Sequence, residues 1–230
     1  MTITTEPIPA MGLLECVRPI LFATDNPEYE YGMKGSGFIF KFGGAAYLVT
    51  AKHVVKYMDP HKVLVMYSVI SRDVLPFDLY VEPTSEEDLG DISLFRVKLD
   101  LIRPEVLAEW EPLEFSAHRF CSSFGLEDRL VGRGYSVTYS SIDYEKKIIK
   151  ADPADVLGRY MRLVSPGIHQ IEFSEFASEF DLDGFSGSPL FRISAPDWCL
   201  AGVLIRGDAT WGVGRFVEGT VILEALQRIT

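Results

Sequence analysis

The amino-acid sequence predicts an all-β fold. Short segments rich in β-branched and aromatic residues recur along it, turn formers punctuate them about every ten residues, and helical spacing breaks the pattern in only two places. Of the 230 residues, 47% are hydrophobic, enough to bury a sizeable core as one compact unit or two small ones.

The first strand candidate is Leu14 to Phe22. Gly37 to Phe42, Gly43-Gly44, then Ala45 to Thr50 reads as a hairpin, because a glycine pair supplies the positive φ angles of a two-residue turn. Further candidates are Lys62 to Ile70, Leu75 to Glu82, Ile92 to Val97, Tyr135 to Asp143, Lys146 to Lys150, His169 to Phe173, Pro189 to Ile193, Trp198 to Ile205 and Trp211 to Phe216. Strands so numerous and short suggest a sandwich or barrels. Leu99 to Pro112, bracketed by Pro104 and Pro112, is a linker or short helix that divides the chain into similar halves. From Thr220, Val221, Leu223, Leu226 and Ile229 fall roughly on one face of a terminal amphipathic helix.

Composition excludes several functions. Lys+Arg total 22 against 33 Asp+Glu, and a formal charge of −11 repels both a nucleic-acid backbone and an anionic membrane surface. No apolar stretch approaches the roughly 18 to 20 residues that span a bilayer. Glu6 and the prolines that follow it stand where an export signal needs basic residues and an unbroken apolar run. Cys16, Cys121 and Cys199 are an odd number without a C-x-x-C pair, and each reads as a small buried hydrophobe rather than part of a disulfide framework or zinc site. A soluble, acidic, cytoplasmic protein is expected. The acidic cluster Glu86, Glu87, Asp88 reads as a solvated loop.

Chemistry enters at three segments. In Leu48 to Val55 an apolar strand runs into His53, a side chain able to take and return a proton near neutral pH. In Asp88 to Val97, Asp91 immediately precedes an alternating apolar strand that can half-bury its carboxylate. Taken singly, these are a common structural histidine and a common turn aspartate. The third segment, Asp181 to Phe191, is more specific: Gly184 and Gly187 flank Phe185-Ser186, allowing a tight turn that exposes a hydroxyl and aims successive N–H groups at one point.

Together, in the order His, Asp, Ser, these residues resemble the trypsin-like serine protease family. VTAKHVV around His53, DISLFRV from Asp91, GFSGSP around Ser186 and LAGVLIRG from Leu200 carry the likeness, which spans Gly35 to about Phe216. The GxSGSP form is closest in style to disulfide-free bacterial and viral members. The resemblance implies two antiparallel β-barrels with a short C-terminal helix, residues 1–105 carrying His53 and Asp91 and residues 106–230 carrying Ser186. It implies a serine endopeptidase with His53, Asp91 and Ser186 as catalytic triad, the N–H groups of Gly184 and Ser186 as oxyanion hole, and Ile205, Arg206 and Gly207 as a strand edge for extended substrate. Phe180, six residues before the serine, would floor the specificity pocket and favour an apolar side chain. No metal or organic cofactor is implied. The partner is a protein or peptide substrate, and any targeting or activating partner is expected to be a separate chain.

The sequence departs from the family at Lys52, Phe185, Ser188 and Ile205. Phe185 replaces the aspartate that a newly cut N-terminus captures in trypsin-type zymogens, so the oxyanion loop is either permanently formed on an apolar Phe185 anchor or settled by a partner. An α/β-hydrolase would need glycine at Ser188 and the order Ser, Asp, His. The cysteines lack flanking glycines, and His53, His61, His118 and His169 form no H-E-x-x-H spacing. The competing reading is a protease fold kept as a peptide-binding or scaffolding module with little turnover.

Overall fold

A computed structural model of the chain describes residues 11–56, 58–67, 74–83, 90–110, 112–146, 148–174, 182–194 and 197–230. After a single turn α1 (Met11–Leu14), β1 (Val17–Ala23) pairs antiparallel with β2 (Tyr31–Phe42). Gly43 and Gly44, at φ of +57° and +82°, turn β2 back into β3 (Ala45–Ala51), as the glycine pair predicts. The short helix α2 (Lys52–Val55) follows, then β4 (Val63–Leu64), β5 (Phe77–Val81) and β6 (Ile92–Val97). The sheet order is β4-β1-β2-β3-β6-β5, and β7 (Leu113–Glu114) lies parallel to the end of β2. This sheet is a half-barrel.

The linker candidate contains α3 (Pro104–Glu109), with Pro104 at a first-turn position where its missing N–H costs nothing. Beyond it the chain builds a closed barrel in the order β11-β12-β15-β14-β13-β8. Its strands are β8 (Arg129–Tyr135), β11 (Pro153–Ser165), β12 (Ile168–Phe173), β13 (Pro189–Ser194), β14 (Asp197–Asp208) and β15 (Val213–Glu218). A separate hairpin, β9 (Ser141–Asp143) with β10 (Ile148–Lys150), leaves the barrel after β8. The architecture is therefore all-β, one closed barrel and one half-barrel, ending in α4 (Gly219–Ile229). No helix among the described residues is long and apolar enough to cross a membrane.

β14 explains why Leu200 to Ile205 is almost uninterruptedly apolar. Ala201 and Leu204 join the core inside the barrel, whereas Leu200, Val203 and Ile205 join the core shared with the half-barrel. A strand buried on both faces has no polar side to alternate with. Between the sheets, Phe115 stacks on Phe40 at 4.6 Å and meets Trp198 edge-on at 5.1 Å, so the stretch after α3 is itself core.

The structure corrects several expectations. Cys121 and Cys199 form a disulfide, and Cys16 alone is free, its buried thiol pushed up to about 12 by desolvation. The likeness to disulfide-free members fails at this pair. The bond is set by a parallel bridge between Phe120 and Leu200, reinforced by Cys121 N–H donating to the Leu200 carbonyl at 2.9 Å, a register invisible across 78 residues of sequence. Closing so long a loop stabilises by about 2–4 kcal/mol. Reduction should therefore lower the melting temperature by roughly 5–15 °C, and thiol titration of the unreduced, denatured chain should find one thiol; finding three would refute the pairing. The buried face of α4 centres on Ile222, Ala225 and Leu226, with Val221, Leu223 and Ile229 only partly covered. β8 and β11 lie outside the expected strands: Gly132 and Gly134 interrupt the first, and charges hide the inward alternation of Val156, Gly158 and Tyr160 in the second.

Candidate active site

The register of β3 against β6, Thr50 opposite Ser93 and Ala51 opposite Ile92, brings Lys52 and Asp91 together one step further along. Lys52 N–H donates to the Asp91 carbonyl at 3.1 Å. His53 N–H donates to Asp91 Oδ1 at 2.9 Å, so the carboxylate caps the first turn of α2. The same carboxylate faces the ring, with His53 Nδ1 at 2.8 Å from Oδ2 and 3.0 Å from Oδ1. An ionised carboxylate only accepts, so Nδ1 carries the proton and Nε2 is left with its lone pair. The Asp91 side chain is 14% exposed and that of His53 43%, which puts the acid beneath and the ring at the surface.

Lys52, unusual before such a histidine, pairs with Glu82, and this hydrogen bond draws the Glu82 carboxyl below its ordinary value. Tyr80 Oη donates to Glu82 Oε1 at 2.7 Å, and burial pushes its phenol up to about 12. The lysine charge is thus neutralised beside His53.

The serine turn comes from the barrel. Gly184 at φ +95° and Gly187 at +93° occupy conformations that favour glycine. Phe185 between them is fully buried inside the barrel against Gly134, where a Cβ would lie 2.5 Å from the Phe185 ring. The Asp183 carbonyl accepts from Val137 N–H at 2.9 Å and the Phe185 carbonyl from Ser188 N–H at 2.9 Å. In a trans peptide the N–H points opposite the carbonyl, so the amides of Gly184 and Ser186 face away from these partners. Neither donates a hydrogen bond among the described residues.

The half-barrel and the serine turn converge at Gly35, where a Cβ would meet Val54, the neighbour of His53, at 2.7 Å and the Ser186 carbonyl at 3.1 Å. Ser186 Oγ donates to the Ile205 carbonyl at 3.3 Å, and no hydrogen bond joins it to His53. The structure thus brings His53 to Asp91 and Ser186 to Ile205.

The β13–β14 ladder ends at Pro189 opposite Val203, with one last bond from Leu204 N–H to the Ser188 carbonyl. Past Leu204, the side of β14 that faced β13 is open, and Ile205, Arg206 and Gly207 lie on it. Gly207 allows close approach of Leu182, whose Cδ1 would be 2.3 Å from a Cβ. Phe180 lies outside the described residues, as do Glu86, Glu87 and Asp88. A cavity of about 390 Å³ lined by Leu21, Tyr31, Met66 and Tyr144 sits between β1 and the β9–β10 hairpin, and none of the site residues named above lines it.

Sequence reasoning missed Ser36, a fully buried serine that reaches the serine turn from β2. Its signal was a polar residue between two glycines, Gly35 and Gly37, at the head of an apolar run.

No protein-family model matches the chain, and no curated protein matches it. Among solved structures, a Vibrio cholerae VesB protease aligns with TM-score 0.64 and 13% identity, covering 95% of this chain and 64% of that one. The chain spans less than two thirds of that protease's length. At this identity the likeness is one of fold, and the chain is a protease-fold protein of trypsin-like architecture.

Proposed function

We propose that the protein is a serine endopeptidase. The observation that carries this reading is His53 held through Nδ1–H by a largely buried Asp91, beside a glycine-flanked turn that presents the Ser186 hydroxyl with outward amides. Ser186 Oγ attacks the scissile carbonyl while His53 Nε2 takes its proton; the carbonyl oxygen, now negative, lies against the Gly184 and Ser186 amides. Collapse breaks the C–N bond, His53 returns the proton to the leaving amine, and water repeats the sequence to free the acid and regenerate the hydroxyl. Asp91 keeps the ring in the competent tautomer and stabilises its cation. Before attack, Ser186 must release the Ile205 carbonyl by a χ1 rotation between staggered wells, exchanging a long hydrogen bond for one to His53. The freed carbonyl then lies on the open edge of β14, where an extended substrate adds as a strand.

The cytoplasmic expectation is not carried forward, because a disulfide persists in an oxidising compartment. The test of activity is a fluorophosphonate probe on the purified protein. A single adduct at Ser186, absent from Ser186→Ala, is expected. A folded protein that stays unlabelled would favour the scaffolding module instead.

A further inference from the structure

Resting on the serine-endopeptidase reading, the inference concerns how the oxyanion-binding turn is kept in shape. Four successive carbonyls in it each accept one hydrogen bond. Asp183 accepts from Val137 N–H at 2.9 Å, Phe185 from Ser188 N–H at 2.9 Å and Ser186 from Ser36 N–H at 2.9 Å. The Gly184 carbonyl accepts from the Ser36 hydroxyl at 2.7 Å. Three of these ties are main chain to main chain. The fourth is the only one made by a side chain.

It also falls where the backbone is least constrained. Gly184, at φ +95°, has no side chain to resist rotation of the peptide that follows it. Released, that peptide would draw Phe185 N–H away from the Leu182 carbonyl, its acceptor at 3.0 Å, and swing the Ser186 amide with it. The hydroxyl is itself oriented: Tyr135 N–H donates to Ser36 Oγ at 2.9 Å, which leaves the hydroxyl proton for Gly184. Ser36 is immobilised in turn, its carbonyl accepting from Thr50 Oγ1 at 2.6 Å. At 0% exposure, no bulk water can replace the lost donor.

We propose that Ser36 is a positioning residue for catalysis: its hydroxyl, reaching across 148 residues of sequence, locks the Gly184–Phe185 peptide and so holds the two oxyanion-binding amides at one point. Phe185 anchors the turn from inside the barrel, and Ser36 supplies the polar lock from the half-barrel.

The test compares Ser36→Ala and Ser36→Gly with wild type in kcat, KM, fluorophosphonate labelling rate and melting temperature. Ile222→Val, a core truncation in α4, serves as the destabilised control. Removing a whole oxyanion donor costs on the order of 10²–10³ in kcat, so loosening the turn should cost about 10–100-fold. KM should stay within about twofold, because substrate pairing on β14 is untouched. Labelling should slow in parallel, and exchange of the Phe185 amide should quicken, a readout that holds even if the variants turn over too slowly to assay. The control should lose stability but keep kcat. Retention of kcat within twofold in both Ser36 variants, or a loss no larger than in the control at equal melting temperature, overturns the assignment while leaving the protease reading intact. Failure of wild type to label sinks both.

Discussion

Ser186→Ala should lose peptide hydrolysis by roughly 10⁴- to 10⁶-fold, His53→Ala should lose a similar amount, and the double variant should be little worse than either. Nucleophile and base act as one unit, so removing either leaves only the binding and oxyanion contributions. Stability should barely change in Ser186→Ala, since the hydroxyl makes one long bond to the Ile205 carbonyl and the residue is not fully buried. The measurement is kcat/KM on a peptide substrate alongside a thermal melt. Hydrolysis by Ser186→Ala within tenfold of wild type would mean that the nucleophile is another group.

The largest structural effect should come from Gly187→Ala. A Cβ there would sit 1.9 Å from the Ser36 carbonyl oxygen and 2.5 Å from Thr50 Oγ1, at a φ of +93°. The positive φ alone costs about 1–3 kcal/mol in a non-glycine residue. The clash adds more, because its nearest atom belongs to backbone held on both sides: Ser36 N–H bonds Ser186, and the Ser36 carbonyl bonds Thr50. A fall in melting temperature of about 10 °C or more is expected, with loss of probe labelling. Gly44→Ala is the matched comparison, having a positive φ of +82° but nothing within 4 Å of the added atom. Equal melting temperatures for the two variants would show that the half-barrel does not press on the serine turn as described.

Local chemistry is what the sequence made legible. The Gly43-Gly44 turn, the β6 strand from Ile92 to Val97 and the glycine-flanked serine each follow from a few adjacent residues, and each stands where expected. The pairing of His53 with Asp91 depends on strand register, yet it was accessible because both residues sit at ends of apolar strands whose lengths set that register. Features made by long-range packing were not. Cys121 meets Cys199 through a parallel bridge that no spacing announces. β11 carries Asp155, Arg159 and Arg162 on partly exposed positions, which masks its period-two burial. Ser36 looked like turn filler because what makes it informative, complete burial against a loop 148 residues away, is a property of the folded chain. The α4 face was misjudged for a related reason: Ile222 and Ala225 are chosen by what lies beneath the helix.

The ties around Ser186 share one further property. Amides, carbonyls and a single hydroxyl hold the turn, and Phe185 fills the place beneath it. None of these groups titrates in the physiological range, and none is created or removed by cutting the chain. A turn built this way is complete as soon as the polypeptide folds. If it serves hydrolysis, the molecule has no safety catch of its own, and restraint over what it cuts has to come from when it is made, where it is kept and which inhibitors meet it there.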